Sequence, residues 1–586
     1  MYSYTGVLGF ILCTFCAAHL DLTGIPTRDQ LNELTAYVQK LVKCRNVPAM
    51  AVTLVKGDSF VWSRGFGKAD RENGKPATRN TRFCIGSLSK AFTSTILGKI
   101  LSQEQNITWD TPVRKILGDD FRFSDELRTD IANLRDLLAH KMGVPSYFSA
   151  LLNGFPDDVT RSDLVRRLQF MEATEPIRTN FLYNNYMYSL AGYVAEVLGK
   201  ASWEDLVRDN IFTPLGMTST GFVNDDHGFE NFALPYITVN GELVNISKDL
   251  ITSVNPAGPA GSVFSTAEDM TKWIKFHLNI SAMLRSHNPL SPYLLKMADT
   301  YEGQMPGGFF PNDKIKPTYP IHDVTIAYAL GWVNSNYRGY RKLWHSGGII
   351  SYTSGLWLFP DVDAGLFFSV SGPLDRNKRY VTQEVGYFAA DLLLGERSWL
   401  NMTTACKFPL PYERPGPEKP KQPRPDQHGA SRKPTRPLAD YTGVYGHLAF
   451  GNITISLGGS ENAPLRLHYG RFGEMVLKAM RHPNTFVATY VGPLWYVMGA
   501  DDGSDPITVR FRPHPHDKAV LSYLDYPVAE NHPTTFIRGL QLDDTTKTRP
   551  KDFCTSTGSV LFKHNCMYFY VLFFYIIFNI NILTER

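Results

Sequence analysis

A stretch containing nine prolines, residues 407–437, divides the 586-residue chain into two parts with different periodicity. Proline lacks a backbone donor and fixes φ, so a segment this rich in it, mixed with Lys, Arg, Glu and Gln, reads as a semi-rigid linker rather than part of a core. What lies on each side must fold around apolar residues of its own. A length of 586 residues suits two domains, and 43% apolar with 20% charged residues is a globular composition.

From about Asp21 to Leu394, helical and strand patterns alternate. Residues 51–55 and 60–62 flank the turn Lys56-Gly57-Asp58 and predict a hairpin. Residues 356–359 and 365–370, separated by Pro360-Asp361, predict two more buried strands, with helices between and after. The expectation is an antiparallel sheet flanked by helices. After the linker come short runs of period-two alternation at 453–457, 465–469, 485–490, 494–498, 507–511 and 520–524, punctuated by Gly, Asn, Asp and Pro. Such runs predict a small antiparallel barrel, whose closure removes exposed strand edges. No acid, base or nucleophile converges there, so packing, gating or binding is its expected role.

Residues 1–18 carry an apolar run, Val7 to Leu12, followed by small residues at Cys16 and Ala18, and are read as a signal peptide. Five Asn-x-Ser/Thr sequons, at Asn106, Asn245, Asn279, Asn401 and Asn452, are candidate glycosylation sites on an exported chain. Residues 566–583 form an apolar tail with three readings: a membrane-spanning helix, a lipid-anchor signal preceded by the small residues 556–559, or an incidental extension. The five cysteines beyond residue 18 have neither metal-ligand nor C-x-x-C spacing, and their pairing is not readable; Cys84 fits a buried thiol as well as a bridge. A formal charge of +4, spread along the chain, points away from a nucleic-acid partner.

Chemistry is concentrated in three segments. Leu88, Phe92, Ile96 and Ile100 recur at intervals of four and predict a buried helix beginning near Ser87. Unpaired N–H groups at that terminus would face an oxyanion, and Lys90, one turn on, would receive the serine proton if burial lowers its basicity. Tyr183-Asn184-Asn185 precedes a second apolar helical run, and Leu343-Trp344-His345-Ser346-Gly347-Gly348 supplies a third polar cluster. A neighbouring cation favours a Tyr183 phenolate that shares proton transfer, while the Asn185 amide orients a substrate carbonyl.

In these three segments the chain closely resembles the serine β-lactamase and penicillin-binding-protein superfamily, with motifs Ser-x-x-Lys, Tyr-x-Asn and Lys-Thr-Gly or a relative of it. Further matches include Leu137-Leu138-Ala139-His140, Pro214-Leu215-Gly216-Met217, Pro259-Ala260-Gly261-Ser262 and Ala329-Leu330-Gly331-Trp332, spanning most of residues 30–395. The resemblance implies an α+β fold: a β-lactamase/transpeptidase-like catalytic domain over 25–400, with an antiparallel sheet flanked by helices plus an all-α subdomain. A small antiparallel β-barrel over 438–540 would follow. It implies Ser87, Lys90, Tyr183 and His345 as catalytic residues, Asn185, Gly347 and Gly348 as substrate-binding ones, and the Ser87 and Gly348 N–H groups as the oxyanion hole. No cofactor or metal is called for, and the partner expected is a small-molecule ester or peptide. His345 stands where β-lactamases and cell-wall peptidases place a lysine that recognises a carboxylate, which resembles the esterases and D-amino-acid peptidases of the superfamily. The alternatives are a β-lactamase or D-Ala-D-Ala-type peptidase, a non-catalytic binding ectodomain, and a filament or scaffold protein.

Overall fold

The structure is a computed structural model that describes residues 24–224, 230–239, 241–252, 255–286, 291–306, 320–373, 376–410, 412, 434–459, 463–495, 507–529 and 532–540. The readings of residues 1–18, the apolar tail, Cys554, Cys566 and the middle of the Pro-rich stretch lie outside these residues.

The N-terminal part is organised by one antiparallel sheet. Its strands are β1 (Ala49–Lys56), β2 (Phe60–Asp70), β3 (Lys75–Pro76), β4 (Met305–Pro306), β5 (Asp323–Tyr328), β6 (Val333–Tyr337), β7 (Tyr340–Ile349), β8 (Tyr352–Phe359) and β9 (Ala364–Val370). They run in the order β3-β2-β1-β9-β8-β7-β6-β5-β4. The chain thus enters at one side, leaves to build the helical subdomain, and returns to complete the sheet from its far edge inward. The predicted hairpin is β1–β2, and the predicted strands at 356–359 and 365–370 are parts of β8 and β9. Every residue of β9 is buried, because both faces are covered by helices. On one face lie α1 (Arg28–Cys44), opened by a Thr27/Gln30 capping box, and the helix Arg376–Leu393.

The other face carries the helix Ala267–Arg285, and α2 (Ser89–Leu101), of which only Lys99 is not buried, lies in the same apolar cluster. A helix buried on nearly all sides belongs in the middle of a structure. Here it packs against an all-α subdomain that includes the two helices Asn185–Gly199 and Arg161–Arg167.

Past residue 400 the chain stays on the core of the sheet domain. Cys406 is disulfide-bonded to Cys44 at the end of α1, and Arg45 donates to Glu384 and to the Phe408 carbonyl, with Phe408 buried. Cys84 is buried and has no disulfide partner among the described residues.

The C-terminal part is a closed eight-stranded antiparallel barrel built from Gly443–His447, Gly451–Ser456, Leu465–Tyr469, Gly473–Ala479, Thr485–Val491, Ile507–Pro513, Leu521–Ala529 and His532–Arg538. The first and last strands pair through Tyr445 and Arg538. Three of these strands, 443–447, 473–479 and 532–538, are absent from the sequence expectation. The strand expected at 494–498 is corrected: Leu494 and Trp495 follow a turn at Gly492, and the remainder lies outside the described residues. Tyr445, Tyr469, Phe486, Phe511, Tyr526 and Phe536 fill the interior. Its apolar cluster is continuous with the all-α subdomain through Tyr147, Ala150, Leu151 and Phe155. At the junction, Asn153 and Gly154 accept backbone hydrogen bonds from Phe472 and Arg471, while Tyr490 donates to Asn153 Oδ1. The barrel therefore rests on the segment that follows His140, not on the linker alone.

Candidate active site

Ser87 occupies a one-turn 3-10 helix, Gly86–Leu88, that leads directly into α2. Two glycines set how closely this turn meets β7. Gly86 has φ +52°, and a Cβ there would lie 2.7 Å from the Gly348 nitrogen. A Cβ on Gly347 would lie 1.9 Å from the Ile85 carbonyl oxygen. Only glycine at both positions lets strand and serine turn sit backbone to backbone. Gly348 is exposed with open space before it, as a strand residue facing a substrate must be.

The structure brings the three motifs together. Lys90 Nζ donates to Ser87 Oγ (3.1 Å), Asn185 Oδ1 (2.7 Å) and the Ala260 carbonyl (2.8 Å). The Tyr183 hydroxyl donates to Ser87 Oγ at 2.8 Å. Lys90 also sits over the Tyr183 and Tyr188 rings, at 4.8 and 5.1 Å. It is fully buried, and its ammonium finds no carboxylate within ion-pair distance among the described residues. Burial alone therefore drives its pKa well below the usual lysine value. In the ammonium form, three N–H bonds meet three acceptors. As a neutral amine, its lone pair takes the position facing Ser87, and the serine hydroxyl becomes the donor.

The Tyr183 expectation is corrected in one respect. Burial pushes its phenol up, outweighing the hydrogen bond to Ser87, so Tyr183 stands beside the serine as a neutral hydroxyl and not as a phenolate.

His345 is buried on β7. Its Nε2 lies 2.9 Å from the Tyr328 hydroxyl and its Nδ1 2.6 Å from the Ser346 carbonyl, an arrangement satisfied when Nδ1 carries the proton and Tyr328 donates. Burial, then Lys90, lowers its pKa to about 3. The third motif is thus uncharged, and the ring centroids of His345 and Tyr183 are 6.5 Å apart.

Asn185 begins the helix Asn185–Gly199, capped by Asn184. The Asn184 side chain accepts from the Tyr186 N–H and donates to the Val144 and Pro145 carbonyls, which fixes the orientation of the motif. Sequence reasoning missed Asn184, Tyr328 and the Ala260 carbonyl as members of the site. The Pro259-Ala260-Gly261 match pointed to the last of these without assigning it a part.

The sheet, its helical subdomain and the barrel define a β-lactamase/transpeptidase-like fold, and the class of protein is a serine hydrolase. The chain belongs to the Beta-lactamase family, whose family model matches residues 34–384. It is 29% identical over 448 residues to Unguisins hydrolase ungD' of Aspergillus campestris, covering 73% of this chain and 78% of that protein. The octameric penicillin-binding protein homologue from Pyrococcus abyssi superposes with a TM-score of 0.50 at 19% identity, covering 86% of this chain and 99% of the other. The D-amino acid amidase from Ochrobactrum anthropi SV3 gives a TM-score of 0.50 at 22% identity over 62% of this chain and 97% of its own. At these identities the two structures bear on the fold.

Proposed function

We propose that the protein hydrolyses esters or amides through an acyl-enzyme on Ser87, with Lys90 as the base and Tyr183 as the proton relay. The observation that carries this reading is the fully buried Lys90, 3.1 Å from Ser87 Oγ and hydrogen-bonded, among the described residues, only to neutral groups. An amine so placed is available as a neutral base near neutral pH. Ser87 Oγ attacks the carbonyl carbon while its proton passes to Lys90. The oxyanion is met by the Ser87 and Gly348 N–H groups, and Asn185 holds the substrate from the side. The proton then passes through Tyr183 to the leaving oxygen or nitrogen, and water repeats the sequence to release the acid.

With His345 neutral, the third motif offers no cation for a substrate carboxylate. That favours acyl groups uncharged near the scissile bond over penicillins or peptides ending in a free carboxylate beside it. Relatedness to a hydrolase over three quarters of its length supports turnover over a purely binding role.

The reading includes export. All five sequon asparagines are exposed, and Cys44–Cys406 joins residues 362 positions apart, a linkage suited to an oxidising compartment.

The test is labelling with a fluorophosphonate and turnover of p-nitrophenyl esters by wild type and Ser87→Ala, read by intact mass. Wild type gains one adduct and the variant none, with turnover lost by more than about 10³-fold. A folded wild type that neither labels nor turns over sinks the proposal.

A further inference from the structure

The buried groups around Ser87 include one imidazole that the mechanism does not use. His140 is fully buried at the end of the short helix Leu134–Leu138, with φ +57°. This left-handed conformation is uncommon for a residue with a side chain and is kept only where the surroundings impose it. Its Nδ1 accepts the Asn184 N–H at 3.0 Å, and its carbonyl accepts the Leu182 N–H at 3.0 Å. These two bonds bracket Tyr183. The ring lies 4.3 Å, centroid to centroid, from that of Tyr183, and also packs on Phe181, Tyr188 and Tyr328. Nε2 is buried and finds no hydrogen-bond partner among the described residues.

We infer that His140 is the positioning residue for the Tyr183 hydroxyl: its carbonyl and Nδ1 clamp the backbone on either side of Tyr183, and its ring serves only to fill the space behind the phenol. The inference rests on the acyl-transfer reading for its effect on rate, and on geometry alone for the clamp.

The chemistry of the clamp fixes a tautomer. Because Nδ1 accepts an N–H, a neutral His140 carries its proton on Nε2. That N–H is directed among aromatic rings, which are weak acceptors. Protonating Nδ1 would remove the acceptor for Asn184 and put a charge among Lys90, His345, Tyr183, Tyr188 and Tyr328. Burial, with Lys90 and His345 as neighbours, opposes this and holds His140 well below the usual imidazole range.

Two substitutions separate the clamp from mere packing. His140→Asn keeps an acceptor at the Nδ1 position and tolerates a left-handed backbone, but loses the ring. His140→Phe keeps a ring and loses the acceptor. The expected result in the full chain is that Asn stays within about threefold of the wild-type acylation rate. Phe loses about 10- to 100-fold in kcat with KM nearly unchanged, since a misplaced reacting group costs on this order. A Phe variant as active as the Asn variant overturns the inference.

Nitrogen-15 NMR of the wild-type histidines gives a readout independent of activity. The expected His140 signal is a neutral Nε2–H tautomer unchanged from pH 5 to 8, and an Nδ1–H tautomer overturns the clamp even if both variants fail to fold. Should wild type prove inactive, this measurement still decides the geometry, so the two failures are distinguishable.

Discussion

Two lysines are buried among the described residues, Lys90 and Lys342, and the protein treats them in opposite ways. Lys342, on β7, is held by both oxygens of Asp323, which also accepts from Tyr387, and is enclosed by the rings of Trp357, Trp344 and Tyr337. Lys90 has two side-chain oxygens and a carbonyl, all uncharged. A buried cation beside a carboxylate keeps its charge and ties elements together, whereas one given only neutral acceptors can lower its desolvation cost by losing a proton. Arg45 with Glu384 and Arg338 with Asp391 repeat the first arrangement around the same sheet. The neutral surroundings of Lys90 are what set the candidate site apart from this structural use of charge.

The largest effect comes from giving Lys90 what Lys342 has. Asn185→Asp places a carboxylate at the atom that accepts from Lys90 at 2.7 Å. An opposite charge raises a lysine pKa, so the fraction of neutral base at pH 7 falls. We expect kcat/KM at pH 7 to fall by about 10²- to 10⁴-fold, within the range for losing a general base. In wild type, activity rises with pH as Lys90 deprotonates at its lowered pKa, and in the variant this acid limb moves to higher pH. Asn185→Ala, which loses the amide without adding charge, leaves the limb in place. A pH–rate profile of Asn185→Asp with an unmoved acid limb refutes Lys90 as the base.

The converse change removes the partner of Lys342. Asp323→Asn leaves a buried cation without its carboxylate, a loss of about 3–5 kcal/mol in stability when a buried pair is broken on one side. The thermal unfolding midpoint should drop, while kcat of the protein that remains folded stays close to wild type. Equal midpoints would mean that Lys342 escapes its burial by another route, and the contrast with Lys90 would lose its structural half.

Much of this site was legible because its chemistry requires particular side chains at fixed offsets along one element. Ser87 and Lys90 share a helix turn, Tyr183 and Asn185 flank a helix start, and His345, Gly347 and Gly348 lie on one strand. What escaped reading arrives through the third dimension. Tyr328 reaches His345 from β5, with β6 between their strands, and the Ala260 oxygen belongs to the backbone and has no residue signature. His140 stood in view in a family match, but its part depends on a left-handed backbone and on which nitrogen faces Asn184. The phenolate expectation counted the nearby cation and lacked the burial of Tyr183, which acts in the opposite direction. In the barrel, alternation exposed the strands flanked by turn residues. It missed His532–Arg538, where Pro533 and two threonines precede Phe536, its one core residue among those described. The Cys44–Cys406 pairing spans too much chain for spacing to signal it.

The smallest effect concerns the neutrality of the third motif. Tyr328→Phe removes the hydroxyl that faces His345 Nε2 at 2.9 Å. A donor to that lone pair stabilises the neutral ring, so losing it raises the His345 pKa from about 3 toward the ordinary 6.5, although burial and Lys90 continue to oppose protonation. In wild type the depressed folded pKa contributes stability that is present above pH 6.5 and is lost as pH falls toward 3, because the unfolded chain takes up the proton first. The variant should therefore show a shallower loss of stability across that window and less than about a 10-fold reduction in kcat at pH 8. An NMR titration of His345 with the same midpoint in both proteins would assign its neutrality to burial alone, and Lys90 would then owe its neutral neighbour to the packing of the sheet and not to Tyr328.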